Sequence, residues 1–92
     1  MTTYPSLYER NKMDWNTEAK VKFDRMISMV PFFQRTIAEK LAGRKAEQNA
    51  EARGGSSVEE ADIVSAFITE TPAPFQAGMR ETARKAGFDM PM

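Results

Sequence analysis

A proline in the middle of a helical pattern constrains this chain more than any other feature. In Val30-Pro31-Phe32-Phe33-Gln34-Arg35, Pro31 has no amide hydrogen and its ring pushes Val30 away from α geometry. The helix ahead of it should therefore end near Met29. The fixed φ of Pro31 suits the first position of a new helix, so the chain restarts there. Two helices meeting at a forced corner form the frame on which the rest must pack.

The first helix should begin between Asp14 and Asn16, where a side-chain oxygen can cap the free amides. Trp15, Ala19, Phe23, Met26, Ile27 and Val30 recur at three- and four-residue steps and predict one apolar stripe. In the second helix, Phe33, Ile37 and Leu41 form an i, i+4, i+8 row, with Phe32 and Ala38 beside it. That face then runs into Arg44 and Gln48, while Ala42, Ala46 and Ala50 drift to another side. The pattern predicts a first half in the core. The second half would be held by helix propensity and charge pairs, projecting, fraying or lying against a partner.

Arg53-Gly54-Gly55 should stop this helix, glycine supplying the left-handed residue. Ser57-Val58-Glu59-Glu60 then reads as a capping box, serine capping forward and Glu60 reaching back. A third helix turns Val58, Ala61, Val64, Phe67 and Ile68 inward and ends before Thr71-Pro72. A stiff connector leads to a fourth helix from about Pro74 to Ala86, with Phe75, Met79 and Ala83 on one face. Gly87 should stop it, with Phe88 folding back on Ala83 and residues 89–92 forming a tail. Nothing alternates with a period of two. The expected fold is all-α, a small orthogonal bundle of three core helices plus a C-terminal fourth helix. Residues 1–13 form a leader, in which Tyr4, Leu7 and Tyr8 can strap onto the body, and residues 14–70 a helical domain. Residues 71–92 form the C-terminal helix and tail.

Composition decides which chemistries are out of reach. The chain has 92 residues, one domain's length, with no cysteine and no histidine. That removes disulfides, thiolate and imidazole metal ligands, cysteine-held clusters and Ser-His or Cys-His catalysis. Thirteen basic residues balance thirteen acidic ones, so no net field draws in nucleic acid. Residues 1–6 hold no basic region followed by an apolar run, and no apolar run nears the roughly 20 residues of a bilayer span. A cytoplasmic protein is expected, not an enzyme, with no metal site.

The remaining clusters have plain readings beside sharper ones. Glu47 with Glu51, and Glu59, Glu60 and Asp62, resemble paired carboxylates but read better as solvated faces. Arg35, Lys40, Arg44, Lys45 and Arg53 can hold an anion, yet Glu39, Glu47 and Glu51 interleave with them and a salt-bridged surface is the stronger reading. The aromatics at helical spacing read as core before they read as a stacking platform. The seven methionines fill core, adapt to partners or ligate haem iron, core filling coming first.

Two stretches together carry a family resemblance. One is Trp15 and Ala19 followed by Val30-Pro31-Phe32-Phe33-Gln34-Arg35 and a long charged helix. The other is Ala50-Glu51-Ala52-Arg53-Gly54 closed by Ser57-Val58-Glu59-Glu60 and Val64. Over residues 14–68 the chain resembles the small helical domain at the C-terminus of the B subunit of light-independent protochlorophyllide reductase. It has about one extra helical turn between Phe33 and Gly54, and residues 69–92 lie outside the match. The resemblance implies an appendage of a nitrogenase-like reductase of chlorophyll synthesis, near the pigment but without the cluster. It implies a non-catalytic accessory module that docks onto a larger redox or pigment-handling complex. The alternative is a tetrapyrrole-binding carrier or lid. If any residues contact a pigment or partner, Trp15, Pro31, Phe32 and Arg35 match the motif, a plain helix-helix corner being the competing role.

Overall fold

The computed structural model describes residues 13–90. Tyr4, Leu7 and Tyr8 of the leader lie outside the described residues. Asn16 caps α1 (Thr17–Ser28) by accepting the Ala19 amide hydrogen on Oδ1 at 3.0 Å. The helix ends at Met29, as the proline requires. Pro31 opens a 3₁₀ turn (Phe32–Gln34) rather than the α-helix itself, and α2 runs from Arg35 to Ala52. Gly54, at φ 75°, reverses the chain after it.

Next comes an element that no periodicity announces. Ser57–Val58 (β2) pairs in parallel with Asp14–Trp15 (β1), with Asp14 opposite Ser57 and Trp15 opposite Val58. Two residues per strand are too few to show alternation. The pairing displaces the capping box by two positions. Glu59, not Ser57, caps α3 (Glu60–Glu70), and Asp62, not Glu60, reaches back to the Glu59 amide at 2.8 Å. The inward face of α3 turns accordingly: Ile63, Ala66 and Phe67 are buried, Val64 and Ile68 half-buried and Ala61 exposed.

A second 3₁₀ turn (Ala73–Phe75) leads into α4 (Gln76–Ala86), leaving Phe75 exposed instead of on the inner face. Gly87 ends α4 at φ 108°. Its amide and that of Phe88 donate to Arg84 and Ala83 carbonyls at 3.0 Å each, the two bonds of a Schellman stop. Phe88 is thereby buried, and Met90, expected in a tail, is buried after it.

The fold is all-α apart from that two-residue ladder. A ladder of rings crosses its core. Trp15 lies tilted on Phe23 at 5.0 Å, Phe23 stacks on Phe67 at 5.9 Å, and Phe67 meets Phe88 edge-on at 6.0 Å. Met26, Met79 and Met90 fill the space around them. Phe23, Phe67, Met26 and Met79 are core, as their helical spacing suggested, with Trp15 half-buried at its edge.

Helix α2 departs most from expectation. Ala42, Ala46 and Ala50 are buried, while Phe33 is 72% exposed, Ile37 63% and Leu41 48%. The predicted inner and outer faces are exchanged. Ile37 and Ala46 stand nine residues apart, two and a half turns at about 3.6 residues each, and so point in opposite directions. The alanine face lets the α2 backbone come close to α3, against which it packs most extensively. Bulkier side chains would hold the two helices apart. The alanine face packs along the helix, Ala38 partly buried against the core and Ala42, Ala46 and Ala50 buried, while Ile37 and Leu41 face outward.

Candidate interaction surface

The corner between α1 and α2 is locked by an arginine. Arg35 turns back along the chain, its Nε donating to the Val30 carbonyl at 2.9 Å and its Nη2 to the Ser28 carbonyl at 2.8 Å. The last carbonyls of a helix have no partner within it, so the guanidinium satisfies that of Ser28 at the end of α1 and, just beyond the helix, that of Val30. Arg35 thereby fixes the angle at which α2 leaves the corner.

What this angle presents to solvent is apolar. Phe32 is 78% exposed and meets Phe33 edge-on at 6.5 Å. Ile37 and Leu41 continue the row along α2, and Met29 lies exposed at the end of α1. Phe32, Phe33, Ile37 and Leu41 together expose on the order of 500 Å² of side-chain surface, near the top of what a monomer ordinarily leaves uncovered. The surface is convex, a ridge on a helix rather than a cleft.

Its charge is one-sided. Lys40 and Arg44 flank the apolar row, both exposed, and among the described residues neither has an ion-pair partner. Glu39 points about 200° round the helix from Ile37, and Glu51 lies some 15 Å beyond Leu41. The expected salt-bridge lacing of α2 therefore does not form among the described residues. The bridges that do form are Lys20–Asp24, Lys22–Glu60 and Arg53–Asp62.

The four candidate contact residues singled out from the sequence, Trp15, Pro31, Phe32 and Arg35, do not converge. Pro31, Phe32 and Arg35 share the corner. Trp15 sits at the opposite end of α1, about 18 Å of helix away. It is half-buried, and its indole Nε1 donates to Glu47 Oε2 at 2.8 Å. Glu47 is thus no solvated carboxylate; its Oε1 is buried without a hydrogen-bond partner. Asp62 likewise leaves the solvated cluster. It is buried, bound by both Nε and Nη2 of Arg53 at 2.9 and 2.6 Å, and these hydrogen bonds hold its carboxyl below the ordinary carboxylate range against the opposing effect of burial. Among the described residues no three acidic side chains gather as a metal site would need. None of the helices there is long and apolar enough to cross a membrane.

Sequence reasoning missed Phe33, Ile37 and Leu41 as surface residues, placing them in the core. The signal was present in the opposed alanine face and in the way the row runs into Arg44 and Gln48. No family model, no curated protein and no solved structure matches the chain.

Proposed function

We propose that this chain is a non-catalytic helical module that docks onto a larger protein complex through the ridge of Phe32, Phe33, Ile37 and Leu41. The observation that carries the reading is the orientation of α2. A soluble helix normally turns its largest apolar side chains inward, and this one turns alanines inward and Ile37 and Leu41 outward, with Phe32 and Phe33 exposed in the turn ahead of it. Exposed apolar area of this size, held on a rigid helix, suits a partner surface. The motif shared with the reductase appendage supports a redox or pigment-handling complex as the partner. A convex ridge does not enclose a flat pigment, which favours docking over tetrapyrrole carriage.

Affinity isolation of the tagged full chain from its source cell tests this, with an absorption spectrum of the eluate. The wild type should bring down a cluster- or pigment-bearing complex in stoichiometric amount, and a Phe33→Ser, Ile37→Ser variant should not. A colourless eluate containing the chain alone would overturn the reading, as would equal recovery by the variant.

A further inference from the structure

We infer that the exposed face of the first half of α2, with the turn ahead of it, docks into an apolar groove whose rim carries carboxylates. The inference rests on the docking function above and adds the chemistry of the partner. The anchors are Ile37 and Leu41, one turn apart on α2, with Phe33 exposed in the 3₁₀ turn just ahead of them. Lys40 and Arg44 stand beside that row with no carboxylate of this chain to meet them among the described residues.

Charge and shape together select this occupant over two others. A second copy packed through the same face would bring two Lys40 and two Arg44 side chains into one interface with no carboxylate among them. Like charges placed together in that way oppose association. A lipid surface needs an apolar face spanning much of the helix, as interfacial helices have. Here the apolar row is narrow, and polar Thr36 and Lys40 stand within about 100° of Ile37 round the helix. A groove with acidic edges satisfies both the narrow row and the flanking cations.

Photocross-linking in the source cell tests the inference, with benzoylphenylalanine replacing Phe33 in the full chain and, as a control, Val21, which is half exposed on α1. The Phe33 position should yield one protein adduct whose cross-linked peptide is apolar and bordered by aspartate or glutamate. Lys40→Glu with Arg44→Glu should cut its yield at least tenfold, and Lys40→Arg should preserve it. A self-adduct, a lipid adduct, a peptide without flanking carboxylates or indifference to the charge reversal would overturn the inference. A protein adduct from Val21 alone would overturn both this inference and docking through the ridge, whereas a Phe33 adduct on a peptide without flanking carboxylates would overturn this inference alone. No protein adduct from either position would remove both.

Discussion

Asp62 shows how much of this fold depends on single polar contacts. Its carboxylate accepts the Glu59 amide hydrogen, closing the capping box of α3, and both arms of the Arg53 guanidinium at the end of α2. Arg53 also donates to the Ser57 carbonyl at 2.9 Å, so one ion pair ties together α2, β2 and α3. Because hydrogen bonding from Arg53 lowers the Asp62 pKa, its stabilisation is complete above the unfolded value of about 3.9 and disappears as pH falls through the lower folded value. Asp62→Asn should therefore cost about 1–3 kcal/mol in urea unfolding between pH 5 and 8. That difference should shrink below about pH 4, as the wild-type carboxyl also becomes neutral. A difference that stays constant down to pH 2 would show that the charge contributes nothing.

At the scale of elements, the close packing of α2 against α3 depends on small side chains. Ala46 is fully buried, so Ala46→Leu should force the helices apart and cost about 1–3 kcal/mol by thermal or denaturant unfolding. An unchanged midpoint would mean that this face is not packed. What was legible in the sequence sorts by how local its cause is. The cap at Asn16, the stop at Met29 and the Gly87 turn follow from one or two residues each, and all were readable. The inward face of α2 was not, because both of its faces are apolar. Periodicity counts the large side chains, whereas the choice is made by how closely another helix can approach. The β1–β2 ladder was hidden for a related reason. Asp14–Trp15 and Ser57–Val58 meet only because α1, α2 and α3 bring them together, and that pairing moved the cap from Ser57 to Glu59.

For the molecule as a whole, the consequence is a division of labour along α2. Its C-terminal half, from Ala42 onward, belongs to the core that Trp15, Phe23, Phe67 and Phe88 build with α1, α3 and the end of α4. Its N-terminal half packs Ala38 on that core and turns Ile37 and Leu41 outward, beside Phe33 in the preceding turn and the corner held by Arg35. Of the candidate site, Pro31, Phe32 and Arg35 were legible as a corner, while Trp15 proved to be part of the core's edge. The central claim is that the ridge lies outside the core, and Ile37→Ala measured by urea unfolding tests it most directly. A change within about 0.5 kcal/mol is predicted, as for a surface position. A loss of about 2–5 kcal/mol, the cost of emptying a buried isoleucine site, would contradict it.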